Sequence, residues 1–147
     1  NNNYLYKGKT LTSSEQLEYV NKLIETYDLL YVENPFFESD IENYKKLTKE
    51  KKQKCFICMN SKINEYTRQA SENSFNTAIL KYNNLIQFSN DFRDLKEKKI
   101  NVITDMNTNP DIIVGFGIAL VKIDKYNNKF SERIKKIADE IVEEKNR

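Results

Sequence analysis

Short apolar segments alternate with longer amphipathic ones from the first turn of this chain to its last, and that alternation leaves few folds open. Apolar runs a few residues long suit buried strands, while the stretches between them repeat apolar residues every three or four positions, as helices do. Strand and helix in regular alternation is the pattern of βα units around a parallel sheet. The expected fold class is therefore α/β. No linker or low-complexity block divides the 147 residues, so a single domain over 1–147 is expected.

The opening NNNYLYKGK is polar with one glycine and is expected to be an irregular lead-in. Thr12 with Glu15, or Ser13 with Gln16, makes a capping box for a helix whose buried face is Leu17, Val20, Ile24 and Tyr27. A strand Leu29–Glu33 follows, then a helix capped by Ser39 or Asp40 with the stripe Ile41, Tyr44 and Leu47. Later strands are expected at Lys54–Met59, Thr77–Lys81, Val102–Thr104 and Leu120–Ile123. Helices are expected over Lys62–Glu72, over Leu85–Lys98 with Leu85, Phe88, Phe92 and Leu95 inward, and at the end, where Ser131 caps a face of Ile134, Ile137 and Ile141. MNTNPD, Met106 to Asp111, is turn chemistry before a short helix.

Composition excludes several functions. A hydrophobic fraction of 39% with 31% charge fits a globular chain with a modest core, and a net charge of +2 gives no field that would gather nucleic acid or an anionic membrane. The densest basic run, Lys45 to Lys54, is interrupted by acidic and hydroxyl residues and is expected to be a solvated helix end. The longest apolar stretch, Ile112 to Val121, is about half a membrane span and is expected to be a buried helix and a buried strand, with Gly115-Phe116-Gly117 serving packing. Cys55 and Cys58 form a lone CxxC with no histidine anywhere, so reduced core cysteines are expected rather than a zinc site or a disulfide. Without a secretory signal at its start, the chain is expected in the cytoplasm.

The segment YVENPFFESDIENYKKLT, Tyr31 to Thr48, delivers Glu33 on a strand's C-terminal end to a turn fixed by Asn34 and Pro35, the place where barrel active sites lie. With the preceding Leu11 to Leu30 it resembles the C-terminal barrel domain of the enolase (phosphopyruvate hydratase) family, in which a strand ending Glu-Asp-Pro-Phe is followed by an acidic run. FSERIKKIADEIVEE near the end resembles the family's Arg-Ser-Glu-Arg segment and its acidic helix, matching at Ser131, Glu132 and Arg133. The resemblance implies a partial TIM-type barrel of about five βα units, corresponding to the later strands, with the first barrel strands absent. A complete barrel takes roughly 250 residues.

By this resemblance Glu33 stands at a magnesium-ligand position, Lys81 at the position of the base that removes the substrate proton, and Lys122 at that of a lysine contacting the substrate carboxylate. Other positions depart from the family. Asn34 replaces an aspartate, and Met59 and Asn60 stand where the next strand carries adjacent aspartates, one of them a metal ligand. A thioether does not suit magnesium, which takes hard oxygen ligands. Thr104, Asp105, Met106 and Asn107 occupy the place of a Ser-His-Arg-Ser substrate loop, and Phe130 replaces an arginine. Without metal charge to lower its pKa, a lysine base stays protonated.

The expectation is a catalytically silent enolase-like domain acting as a structural or protein-interaction module, with Glu33, Lys81 and Lys122 vestigial or joined in an ion-pair network and no cofactor bound. Two alternatives stay open. One is a divergent active enolase, dehydrating 2-phosphoglycerate with magnesium held by upstream residues. The other is a small-anion binder using Lys81 and Lys122. The open sides of a partial barrel imply contact with upstream chain, another polypeptide or a second copy.

Overall fold

The computed structural model of the chain describes residues 3–51, 54–59, 74–123 and 128–145. Its elements are β1 (Tyr4–Tyr6), β2 (Lys9–Leu11), α1 (Ser13–Tyr27), β3 (Tyr31–Glu33), α2 (Ile41–Lys51), β4 (Phe56–Cys58), β5 (Thr77–Ile79), α3 (Leu85–Glu97), β6 (Asn101–Asp105), α4 (Pro110–Gly115), β7 (Val121–Lys122) and α5 (Asn128–Lys145). β1 pairs with β2, and the other five strands form one sheet in the order β3-β4-β5-β6-β7. Strands that follow the chain in order and pair in parallel, as β3 with β4 and β6 with β7 do, are consecutive βα units, so the expected α/β class and partial-barrel organisation hold. The helix expected over Lys62–Glu72 lies outside the described residues. By packing the chain forms two compact units, Asn1–Ala78 with Arg93–Asn101 and Ile79–Phe92 with Val102–Arg147.

The first unit opens on a hairpin where an irregular lead-in was expected. Tyr4 pairs with Leu11 and Tyr6 with Lys9 across a two-residue turn, with Gly8 at φ +78 in its second central position, a geometry that glycine adopts freely. Of the two possible capping boxes the chain forms Thr12 with Glu15, the N–H of Thr12 donating to Oε2 of Glu15 at 2.8 Å. The buried face of α1 is Gln16, Val20 and Ile24. Tyr27 is 68% exposed, because the helix runs past its neighbours before Asp28 closes it in the left-handed conformation.

Tyr44 and Leu47 of α2 are fully buried as expected, but the basic run that begins on this helix is not wholly solvated. Lys51 is buried and donates to Oε1 of Glu25 at 2.6 Å, and Thr48 donates to the carbonyl of Ser74 at 3.0 Å. A lysine stem packs on apolar surface while its ammonium reaches a carboxylate at the edge. Asp40, expected to cap α2, stands just before it with its carbonyl accepting from Tyr44 N at 3.3 Å, and its carboxylate accepts from Tyr4 Oη at 2.9 Å, Ser13 Oγ at 2.6 Å and Asn43 Nδ2 at 3.1 Å. One acceptor thus ties the hairpin to the starts of both helices.

The second unit is built on Leu80, Phe88, Ile103, Ile113, Ile118 and Ile137, all buried. Leu85, expected inward on α3, is 53% exposed, since the helix's first turn extends past this core. Of the stretch Ile112 to Val121 only Ile113 and Ile118 are buried, so it is less interior than its hydropathy suggested. Gly117 has φ +64 and completes a helix stop in which its N–H donates to Val114 O and that of Ile118 to Ile113 O. A Cβ at Gly115 or Gly117 would meet nothing within 4 Å, so neither glycine is required by packing, and Gly117 serves the turn. Phe116 does the packing, edge-on to Phe88 and Phe92. Helix α5 starts at Asn128, which puts Ser131 inside it and not at its cap, and Ile141 is 39% exposed.

Candidate functional site

Glu33 ends β3 half-buried, opposite Cys58 in the parallel register with β4. Asn34 follows in the left-handed conformation, φ +48, and its N–H donates to the Cys58 carbonyl at 2.9 Å. Asparagine tolerates that conformation better than most residues, and Pro35 fixes the exit, so the turn read from the sequence forms. The Glu33 carboxylate is engaged from its own strand: Tyr31, two residues earlier and on the same face, donates its phenol to Oε2 at 3.1 Å. Burial, then the neighbouring Cys58 thiol and Glu33 carboxylate, push the Tyr31 phenol well above the usual tyrosine range, so it remains a donor.

Met59, one residue past β4, is fully buried. Its thioether is a packing group. Cys55 and Cys58 are buried and form no disulfide, and burial pushes the Cys55 thiol up to about 11. The chain around them is held by Asn76, whose Oδ1 accepts from Ile57 N at 2.7 Å and Thr77 Oγ1 at 2.9 Å and whose Nδ2 donates to Cys55 O at 3.0 Å. Sequence reasoning missed Asn76. The signal available was a polar side chain at the mouth of an apolar strand, where it can bridge to the next strand's backbone.

In the second unit Lys81 lies two residues past the end of β5 and is exposed, as is Asn83. Thr104 on β6 is fully buried; its Oγ1 donates to Leu80 O at 2.7 Å and shares a 2.5 Å hydrogen bond with Thr108 Oγ1. Asp105 accepts from Asn107 N at 3.0 Å in a side-chain turn, and Asn109 accepts from Asp111 N at 2.9 Å to cap α4. Asp105 is the register partner of Lys122 on β7, which sets opposite charges side by side on one sheet face. Beyond this loop a cleft of about 470 Å³ is lined by Tyr82, Met106, Asn107, Lys129 and Phe130 beside Asp111 and Arg133. Arg133 donates through Nε to Asp111 Oδ2 at 3.0 Å and through a second nitrogen to Oδ1, which holds the Asp111 carboxyl below its usual range.

Residues 1–109 match the family described as the C-terminal TIM barrel domain of enolase. The chain belongs to the enolase family. Among similar curated proteins are the enolase of Methanosphaera stadtmanae, 30% identical over 106 residues that cover 67% of this chain and 25% of that protein, and the enolase of Archaeoglobus fulgidus, 44% identical over 55 residues that cover 37% of this chain and 13% of that protein. The enolase of Methanothermobacter thermautotrophicus is 40% identical over 57 residues, 37% of this chain and 14% of that protein. The chain thus spans about an eighth to a quarter of the length of these relatives.

Within the enolase family match fall Glu33, Lys81 and the loop Thr104–Asn107, while Lys122 and Ser131–Arg133 lie beyond residue 109. Glu33 belongs to the first unit, and Lys81 and Lys122 to the second. Among the described residues beside Glu33, the donors are poor ones for a hard cation such as magnesium. A hard cation needs several oxygens, and beside Glu33 the next strand offers a thiol in register and a buried thioether after it. Among the described residues no three acidic or cysteine side chains gather as a metal site would require, and no helix is long and apolar enough to cross a membrane.

Proposed function

We propose that this chain carries an enolase barrel segment whose catalytic positions have passed into structural use, and that it acts as a structural or protein-interaction domain and not as a lyase. One observation carries the reading. The loop at the family's substrate-holding position is committed to its own fold, with Thr104 sealed against Leu80 and Thr108, Asp105 closing a turn and facing Lys122, and Met106 in place of an arginine. A site that must clamp a phosphorylated carboxylate needs convergent cations, and an anion at Asp105 opposes that. Half-buried Glu33, already bonded to Tyr31, supports the same reading as an internal acceptor.

On this view the chain works in the cytoplasm, and the strands that end the sheet order, β3 and β7, are where further polypeptide adds. Calorimetric titration of the full-length protein with magnesium tests the proposal: no tight site is expected, and two tight sites would overturn it. A second reading, a divergent lyase converting 2-phosphoglycerate to phosphoenolpyruvate, draws support from Lys81, which is exposed just past a strand end where a base could meet substrate.

A further inference from the structure

The first unit contains a second cleft, of about 370 Å³, walled by the hairpin and by the segment after Glu33. Half of its lining residues are aromatic, Tyr4, Tyr6, Phe36 and Phe37, and its one formal charge is the Glu38 carboxylate. The rings differ in access. Tyr4 and Phe36 are buried, whereas Tyr6 is 42% and Phe37 44% exposed. Both exposed rings are already held: Phe37 stacks on Tyr4 with centroids 4.5 Å apart, and Tyr6 lies edge-on to Tyr19 while its phenol donates to Gln16 Oε1 at 2.9 Å. Glu38 is exposed and pairs with no cation among the described residues.

The charge of this cleft decides what it suits. Aromatic faces carry negative potential and attract cations, and a carboxylate beside them adds a full charge of the same sign. An anion is repelled there, and a purely apolar ligand gains nothing from Glu38. Because the rings are fixed before anything arrives, little side-chain entropy is lost on binding. We propose that this cleft receives an arginine side chain from a protein partner. A guanidinium lies flat on a ring and forks onto a carboxylate, which the compact ammonium of lysine does less well. The assignment rests on the interaction reading above and names the surface and the partner chemistry it would use.

The test is a titration of the full-length protein with blocked Gly-Arg-Gly peptide and with its citrulline counterpart, which keeps the shape and loses the charge, followed by NMR. The arginine peptide should shift Tyr6, Phe37 and Glu38 resonances saturably, with the citrulline peptide about fivefold weaker or worse. Glu38→Gln, a substitution at an exposed site that leaves the fold intact, should weaken the arginine peptide by a similar factor. Equal binding of both peptides, or no change in Glu38→Gln, would overturn the assignment. Saturable shifts from tetramethylammonium with none from the arginine peptide would also overturn it, in favour of a small quaternary ammonium ligand. Turnover of 2-phosphoglycerate by the same sample separates the two readings. Arginine binding alongside turnover would uphold the cleft and remove the silent-domain reading, while neither binding nor turnover would do the reverse.

Discussion

The two units of the chain hold themselves together by different means. The first relies on polar hubs. Asp40 gathers Tyr4, Ser13 and Asn43, and Asn76 gathers the backbone of Cys55 and Ile57 with the Thr77 hydroxyl. The second relies on an aromatic cluster around Phe116 and on one buried hydroxyl pair, Thr104 with Thr108. The family match covers all of the first unit but stops at residue 109 within the second. Their clefts also differ in charge, with a lone carboxylate in the first and Lys129 and Arg133 against Asp111 in the second. On the proposed reading, the fold is kept by side-chain hydrogen bonds whose geometry is demanding, while positions that chemistry would need take up structural roles.

The sharpest way to break that comparison is to remove a hub. Asn76→Ala strands the N–H of fully buried Ile57 and the Cys55 carbonyl without partners, and should cost about 3 to 5 kcal/mol in chemical denaturation. Thr104→Val in the second unit removes two hydrogen bonds but fills the same volume, and should cost about 1 to 3 kcal/mol. If the valine variant proved the more damaging, the contrast between hub and hydroxyl pair would fail.

Alkaline pH sharpens the comparison from another side, because the first unit holds buried neutral acids. Burial raises the Tyr4 phenol from 10.0 to about 12 and the Cys55 thiol from 9.0 to about 11. Folding therefore favours the protonated forms. Their stabilisation is complete below about pH 9 and is lost through pH 9 to 11 for Cys55 and 10 to 12 for Tyr4. Denaturation midpoints should stay level to about pH 9 and then fall, and Tyr4→Phe should flatten the later part of that fall. The smallest effect is a gain. Lys99 closes α3 at φ +59, a conformation that costs a side chain energy, so Lys99→Gly should stabilise the protein by about 0.5 to 1 kcal/mol.

Much of this architecture was legible because periodicity and caps act locally. The Thr12–Glu15 box, Tyr44 and Leu47 on α2, Pro110 at the start of α4 and the sequential strand order all follow from nearest neighbours along the chain. The hairpin escaped notice because strands of three residues give too few alternations, although Gly8 marked the turn. Periodicity also finds a helix's inner face without saying where its neighbours end, which is why Tyr27 and Leu85 lie exposed. At the candidate site Glu33, Lys81 and Lys122 were singled out only through the family resemblance, and Met59 is buried, as suits a thioether. The Tyr31 bond to Glu33 was readable in principle from strand period 2. Asn76 offered only the weaker signal of a polar residue at a strand's mouth, and the full set of Asp40 partners was hidden because Tyr4 and Ser13 lie far from it in sequence.

The central claim is that the enolase positions here support structure and not turnover. It is tested most directly by following phosphoenolpyruvate formation from 2-phosphoglycerate by the full-length protein in excess magnesium, beside Lys81→Ala. No turnover in either is the predicted result. Turnover that disappears in Lys81→Ala would contradict the claim and make Lys81 a working base.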